Sequence, residues 1–280
     1  MYILPKDRFL IGTLFCTYLL LAIALWLTTG EVSTTILLAI AVALFLMINL
    51  ETYRRIQNQI YEQYQDYKKN EYRQIESLFS IFSLLKINHP LPPMRGYAAA
   101  PDLANTLISL IKEQQPKLIL EAGSGVSTLI ASYCLQTIGE GKVISLDHDK
   151  TYADLSSKNL FKHELQDIGT VVHAPLTEIA IKGKTWLWYE TSELLKVIKN
   201  QSIDLLLIDG PPWNTQDLAR YPALPILFDL LSENAIVLID DAARKDEQEI
   251  LNLWMKEFNC FQLELLDSDS GTAILRRTSI

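Results

Sequence analysis

The stretch LILEAGSGVSTLI, residues 118–130, joins a short apolar run to a glycine-containing turn and the start of a helix. A short run rich in leucine and isoleucine is typical of a buried parallel strand. Gly123 and Gly125 flank Ser124, shortly after Glu121 near the end of the run. Glycine takes positive φ and lets a ligand approach the backbone closely. The stretch therefore predicts a strand–turn–helix unit beside a nucleotide-like ligand.

The turn differs from two common phosphate-binding loops. A dinucleotide fingerprint needs a third glycine three residues after Gly125, where this chain has Thr128. A phosphate loop ends in Gly-Lys-Ser or Gly-Lys-Thr, and the stretch has no such ending. The turn therefore favours a nucleoside ligand over a pyrophosphate.

Short apolar runs alternate with helical patterns over the second half of the chain. The runs are KLILEA (117–122), KVISLD (142–147), TVVHA (170–174), IDLLLID (203–209) and AIVLID (235–240). Helical patterns cover about 127–138, 150–165, 191–200, 216–232 and 245–258. Repeated strand–helix units form a parallel sheet with helices on both faces. FQLELLD and TAILRR near the end add an antiparallel pair, so we predict a doubly wound, mostly parallel α/β sheet of seven strands.

Asp147 ends the second predicted strand, 22 residues after Gly125. Ligands of such sheets bind at the carboxyl ends of the strands, and a carboxylate at this position accepts hydrogen bonds from both ribose hydroxyls. The alternative role is an N-cap for the helix that begins near Lys150, for which Asp149 competes. The glycine turn and the acid together favour the ribose.

Three more acids follow the last two parallel strands. Asp209 ends the fourth predicted strand, and Asp240 and Asp241 end the fifth. Carboxylates on adjoining strand ends repel one another unless a positive group lies between them. That group is a divalent cation, a sulfonium, or the pair Arg220 and Arg244; the alternative is a set of ordinary loop caps and ion pairs.

The first fifty residues contain two long uncharged runs. Residues 9–28 and 32–50 have no charged side chain, and each run is close to the roughly 20 residues that a helix needs to cross a membrane. The connection between them is TGE, residues 29–31. We predict a transmembrane helical hairpin; the alternative is a signal peptide with Lys6 and Arg8 as its charged start.

Charged residues predict the orientation of this hairpin. Lys6 and Arg8 precede the first run, and Arg54 and Arg55 follow the second. Positive residues stay on the cytoplasmic side, so we expect a multi-pass inner-membrane protein whose remaining chain is cytoplasmic. The net charge of -8 argues against nucleic-acid binding through a broad basic face. The three cysteines form no CxxC pair, which favours free thiols in a reducing compartment.

Residues 51–87 are predicted to form one long polar helix that ends at NHPLPP, residues 88–93, because prolines remove hydrogen-bond donors. Apolar residues recur along it at three- and four-residue spacings: Ile56, Ile60, Tyr64, Tyr67, Ile75, Leu78, Phe82 and Leu85. Such a stripe either forms a coiled coil with a second copy of the chain or packs on the globular domain. The predicted domains are the hairpin (1–50), a helical linker (51–93) and the globular domain (94–280).

Taken together, the motifs resemble those of class I S-adenosylmethionine-dependent methyltransferases. LILEAGSGVSTLI, VISLDHD, LLLIDGPP and AIVLIDDA match successive motifs of that family over about residues 94–277. The first is similar to the E-x-G-x-G-x-S-T motif of a bacterial O-methyltransferase-like group. The resemblance implies a Rossmann-like methyltransferase fold and S-adenosylmethionine as cofactor, and it leaves the acceptor open.

The resemblance also implies cofactor contacts. The residues concerned are Glu121, Gly123, Ser124 and Gly125 around the methionine part, Ser127 at the next helix, Asp147 at the ribose, His148 and Ala174 near the adenine, and Asp209 beside the same pocket. MRGYAAAP, residues 94–101, matches the segment that closes over the cofactor.

Metal-dependent methyltransferases of the catechol type carry an Asp after the fourth strand and an Asp-Asn pair after the fifth. Asp209, Asp240 and Asp241 match these positions, with Asp241 in place of the Asn, and are candidate ligands of Mg²⁺ or another divalent cation. No lysine follows Asp209 where catechol enzymes carry a catalytic one. The candidate general bases are Asp209, Asp241 and His173, and the alternative for His173 is a neutral core residue.

The expected function is O-methylation of a small-molecule, lipid or glycan acceptor at the cytoplasmic face of the membrane. An NAD-dependent oxidoreductase on a similar fold and a non-catalytic membrane scaffold are the alternatives. The aromatic stretch KTWLWYE, residues 184–190, is expected either to form an acceptor-side lid with Trp213 and Tyr221 or to pack against the domain.

Overall fold

The computed structural model describes residues 16–24, 26–28 and 32–278, without the side chains of 33–35. The chain divides into two compact units, Met1–Lys68 and Lys69–Ile280. Residues 16–24 and 26–28 are helical, and helix α1 runs from Val32 to Leu84. Among the described residues, α1 is the one helix long and apolar enough to cross a membrane.

The predicted hairpin is therefore only partly visible. Residues 9–15 of the first predicted span and its connection at 29–31 lie outside the described residues, so the hairpin stays a prediction. The second predicted span and the predicted polar helix form one element, because α1 continues without interruption past residue 50.

The end of α1 buries only part of the predicted stripe: Leu85, directly after the helix, is buried and Leu78 is half-buried. Gln74, Ser77 and Ile81 are buried at helical spacing, whereas Ile75 and Phe82 of the predicted stripe are exposed. Packing of the predicted stripe on the domain is therefore wrong at Ile75 and Phe82. Pairing of the stripe with a second copy stays a prediction.

Nine strands follow. They are β1 Leu118–Ala122, β2 Lys142–Asp147, β3 Gly169–His173, β4 Leu176–Ile181, β5 Lys184–Tyr189, β6 Ile203–Ile208, β7 Leu231–Asp240, β8 Phe261–Leu266 and β9 Thr272–Arg277. Seven of them form one sheet in the order β3-β2-β1-β6-β7-β9-β8, in which β9 is antiparallel to both neighbours and the other pairs are parallel. The predicted seven-stranded, mostly parallel sheet is confirmed.

The helices of this unit are α2 Pro101–Gln114, α3 Val126–Ile138, α4 Lys150–Lys162, α5 Ser192–Ile198, α6 Ala223–Leu227 and α7 Lys245–Glu257. The predicted helix over 216–232 is wrong. Short 3-10 turns and the five-residue α6 replace it, and β7 already begins at Leu231. Pro222 and Pro225 explain the interruption, because each lacks the backbone donor that a helix needs.

Both faces of the sheet are covered. Leu118 and Leu120 of β1 pack into one apolar cluster and Ile119 into the other, as alternation along a strand requires. The β4–β5 hairpin contributes Trp186 and Trp188 to the first cluster. The stretch 184–190 is therefore a buried hairpin strand rather than a lid.

Candidate active site

The glycine turn leaves an open space at the carboxyl end of β1, the central strand of the parallel part. Gly123 has a φ of 119° and donates its N–H to the Leu146 carbonyl at 2.9 Å. Gly125 has a φ of 154°, and a Cβ added to it would meet no atom within 4 Å. The backbone at the start of α3 is therefore accessible to a ligand, as the sequence predicts.

Glu121 holds this turn in place from below. Its carboxylate is buried and accepts hydrogen bonds from the Ser127 hydroxyl, from Thr128 Oγ1 at 2.6 Å and from Ser145 Oγ at 2.6 Å. Thr128 Oγ1 also accepts the Gly125 N–H at 3.1 Å. The predicted cofactor residues Glu121 and Ser127 are thus bonded to each other, and their carboxylate and hydroxyl shape the turn.

Asp147 faces the turn from β2. Ser124 Oγ donates to its Oδ2 at 2.5 Å, and the Asp149 N–H donates to its Oδ1 at 3.0 Å. Asp149 caps α4 by accepting the Thr151 N–H at 2.7 Å. The N-cap alternative for Asp147 is therefore wrong, and each of its carboxylate oxygens has a remaining lone pair for a ligand hydroxyl.

The adenine-side candidates lie beside Asp147. His148 Nδ1 is 3.8 Å from Asp147 Oδ1, and its ring meets the Tyr189 ring edge-on at 6.3 Å. Ala174 is buried, and its N–H donates to the Asp147 carbonyl at 2.7 Å. These contacts bring His148 and Ala174 to the same strand end as the predicted ribose site.

His173 does not join the other candidate bases. It ends β3, the edge strand, and pairs in register with Asp147. Strands β2 and β1 separate it from β6, so it lies roughly 14 Å from Asp209 at the ordinary strand spacing. His173 is also exposed, so its alternative role as a core residue is wrong.

The three remaining acids do come together. Asp209, Asp240 and Asp241 each place a carboxylate oxygen within 4.8 Å of the others. Arg220 is buried against them: its Nη2 lies 2.9 Å from Asp241 Oδ2 and 3.4 Å from Asp209 Oδ1. Arg244 adds a second contact to Asp241 at 2.7 Å. The two arginines that the sequence named as one possible source of positive charge therefore both contact these carboxylates.

The residues fit a divalent cation poorly. Such an ion binds carboxylate oxygens at about 2.0–2.6 Å, so at this cluster it would lie roughly 5 Å from the Arg220 guanidinium. The positive charge of Arg220 opposes such an ion, and the ion pairs that Asp209 and Asp241 make with Arg220 compete with its binding. Arg220 takes up the charge of the carboxylates that the ion would need.

Burial and the repulsion between neighbouring carboxylates raise the pKa values of the acids of the site. Burial, followed by the Asp240 charge, raises the pKa of Asp209 well above its ordinary range. Burial also raises the pKa of Asp240 and of Glu121. These carboxyl groups therefore hold protons to higher pH than exposed acids do.

Sequence reasoning missed the hydroxyl groups that position the acids. Thr128 and Ser145 donate hydrogen bonds to Glu121, and Ser156 accepts one from Ser124. The position of Thr128 within the glycine motif was the sequence signal that could have identified it. Tyr189 was also missed, although it belongs to the aromatic stretch; its hydroxyl lies against Gly210, where an added Cβ would clash. Helix α2 was missed too, despite Pro101 at its first turn, which is a helix-start signal.

Comparisons with known proteins agree with this geometry. The family described as "Methyltransferase domain" matches residues 120–242. No curated protein matches the chain.

Solved methyltransferases share the fold. PaMTH1 of Podospora anserina, solved with SAH, has a TM-score of 0.50 and 17% identity and covers 65% of this chain and 81% of its own. An O-methyltransferase of Bacillus cereus, also in complex with SAH, has a TM-score of 0.50 and 16% identity. The match covers 74% of this chain and 90% of that protein. TomG of Streptomyces achromogenes, an O-methyltransferase involved in tomaymycin synthesis and solved with SAM, has a TM-score of 0.51 and 12% identity. The match covers 75% of this chain and 99% of TomG. At these identities the likeness establishes the fold.

Proposed function

Because residues 120–242 match a methyltransferase domain and the sheet has the class I methyltransferase fold, we propose that this chain transfers a methyl group from S-adenosylmethionine to a hydroxyl oxygen. One observation carries the proposal. Asp147 ends β2 and Asp209 directly follows β6; these strands are the two neighbours of β1, so the two acids flank the open glycine turn. A nucleoside ligand fits between a sugar-binding acid on one side and a reactive acid on the other.

The residues around the turn fit the proposed cofactor. Asp147 has free lone pairs for two ribose hydroxyls, and the Gly125 backbone is open to close approach. His148 and Ala174 border the adenine side. S-adenosylmethionine supplies an activated methyl group with a good leaving group, so the protein mainly has to align the acceptor oxygen with it.

Asp209 is the acid best placed to remove the acceptor's proton. Its side chain is partly exposed, and within the described part of the chain its one ion pair is the long one to Arg220 at 3.4 Å. The raised pKa brings this carboxyl closer to the working range of a general base. Asp241, the other predicted base, bonds to Arg220 and Arg244, and this pairing opposes a role in proton transfer.

An apolar groove of about 500 Å³ supports an acceptor with an apolar part. Its walls are Ile75, Leu78, Phe82, Pro90, Leu91, Pro92, Met94 and Pro101, and its polar lining is Glu71, Gln74 and Arg95. Arg95 Nε donates to Asp269 at 3.2 Å, and the adjacent Ser270 donates to Asp240 at 2.7 Å. One loop therefore connects the polar lining of the groove to the acidic cluster.

The membrane location belongs to the same proposal. The apolar start of α1 supports anchoring, and the positive residues around the predicted spans support a cytoplasmic methyltransferase domain. An amphiphilic acceptor, such as a lipid or a lipid-linked glycan, suits both the anchor and the groove. An NAD-dependent reaction is disfavoured, because Thr128 stands at the third glycine position and its hydroxyl is bonded to Glu121.

The proposal is tested with the full chain in detergent micelles and S-adenosylmethionine labelled in its methyl group. Label should appear in one of the lipid, glycan or small-metabolite fractions of the cell, and Asp209→Asn should reduce the rate by about 10²–10⁴-fold. Calorimetric titration with SAH reports cofactor binding separately. Absence of SAH binding in the wild type contradicts the proposal.

The groove is tested in the same assay with a matched pair of variants on α1. Leu78→Glu places a charge in the groove, whereas Phe79→Glu places one on an exposed side chain outside it. Leu78→Glu should lower the transfer rate while SAH affinity is unchanged, and Phe79→Glu should alter neither. Equal rates for the two variants would exclude the groove as the acceptor site.

A further inference from the structure

The guanidinium of Arg220 lies at the centre of an acidic shell. The side chain is 3% exposed and is one of the few buried charged groups of the fold. Its Nη2 contacts Asp209 and Asp241, and its Nη1 donates to the Asp240 carbonyl at 2.9 Å. Its Nε lies 3.8 Å from Glu247 Oε1. One side chain thus bridges the ends of β6 and β7 and the first turn of α7.

This arrangement resembles what an ion would do for two of the three carboxylates, those of Asp209 and Asp241. A cation bound by Asp209, Asp240 and Asp241 would balance their charge and fix their oxygens relative to the acceptor. Arg220 supplies a fixed positive charge and several donors in one plane, which suits carboxylate pairs. The negative charge of Asp241, which stands where the catechol-type motif has a neutral Asn, is paired with this buried arginine.

We infer that Arg220 takes the place of a divalent cation, so that the site positions Asp209 and its acceptor without a metal. Arg220 is then a positioning residue, which acts through Asp209 and Asp241. The inference goes beyond the proposed function, because it concerns the ion requirement of the cluster and holds whether or not methyl transfer is detected.

The test measures Mn²⁺ binding to the full chain in micelles by electron paramagnetic resonance. The wild type should bind no Mn²⁺ at the cluster, and SAH affinity should be the same with and without EDTA. Arg220→Met removes the charge but keeps an elongated side chain, so it should gain one Mn²⁺ site. The double variant Arg220→Met, Asp240→Ala should lose that site again, which locates the ion at the cluster.

Two matched variants separate the charge of Arg220 from its structural role. Arg220→Lys keeps a positive charge and should gain no Mn²⁺ site. Arg244→Met removes the partly exposed arginine from the same carboxylate, Asp241, and should also gain none. A wild-type chain that binds one Mn²⁺, with loss of that ion in Asp240→Ala, would overturn the inference even if Arg220→Met fails to fold.

Discussion

Replacing Asp147 with alanine should weaken SAH binding by about 10²–10⁴-fold. The carboxylate is 6% exposed, and Ser124 Oγ and the Asp149 N–H each occupy one lone pair of its two oxygens. Two lone pairs remain for the ribose hydroxyls. A hydrogen bond to a charged group contributes about 1.5–3 kcal/mol, so two contribute about 3–6 kcal/mol. Each 1.4 kcal/mol changes affinity roughly tenfold, which gives the stated range.

Isothermal titration calorimetry of the full chain with SAH measures this loss, and Asp149→Ala is the matched control. Asp149 lies two residues further along and accepts the Thr151 N–H as the N-cap of α4. Its loss should cost about 1 kcal/mol of stability without weakening SAH binding. Equal affinities for the wild type and Asp147→Ala, or equal losses in both variants, would refute the ribose role of Asp147.

Three further outcomes test the packing and the ionisation of the site. Gly210→Ala should lower the free energy of unfolding, measured by urea denaturation, by about 1–3 kcal/mol, because the new methyl group clashes with the Tyr189 hydroxyl. Adding Tyr189→Phe to this variant removes that hydroxyl and should restore part of the lost stability. Trp254→Ala should cost about 3–5 kcal/mol, because the ring is buried and its Nε1 donates to a backbone carbonyl at 3.0 Å; a loss under about 1 kcal/mol in the same assay would contradict this packing. Burial raises the pKa of Glu121 and Asp209. Above about pH 4 these two groups therefore bind more protons in the folded chain than in the unfolded chain. The free energy of unfolding should consequently fall as pH rises through the raised pKa values. The contribution of these two groups is read from Glu121→Gln and Asp209→Asn, whose denaturation midpoints should depend less on pH than that of the wild type.

The sheet was predictable because its parallel strands have two recognisable sequence signals. Parallel strands covered on both faces appear as continuous apolar runs, and their carboxyl ends carry the polar residues that meet a ligand. Asp147 illustrates the second signal, since its distance from Gly125 sufficed to place both at one edge of the sheet. The boundary errors are small for β2 and β6, where apolar runs end at an aspartate.

The centre of the acidic cluster was not predictable to the same degree. The sequence named Arg220 among several groups able to balance the carboxylates, but the predicted helix over 216–232 gave no reason to choose it. The structure interrupts this region near Pro222, and Arg220 enters the core from an irregular turn. Which positively charged side chain contacts a given carboxylate depends on its position in the folded chain. Sequence periodicity predicts local helices and strands and does not predict such tertiary contacts.

His173 shows the same limit from the opposite side. It lies near the end of a predicted strand, as Asp147 and Asp209 do, and the sequence alone cannot rank the three. The strand order separates them, because β3 lies at the edge while β2 and β6 adjoin β1. Crossover connections fix that order only after the whole sheet forms.

The charge around the glycine turn gives an independent reason to prefer a sulfonium cofactor over a dinucleotide. Glu121 lies at the turn-side end of β1, Asp147 ends β2 and Asp209 follows β6, so the local field is that of several carboxylates. A pyrophosphate would be repelled by these groups, whereas a sulfonium is attracted by them. The raised pKa of Glu121 and Asp209 reflects the cost of holding these charges buried. A cationic ligand would lower that cost, so these carboxylates favour a positively charged donor over an anionic one.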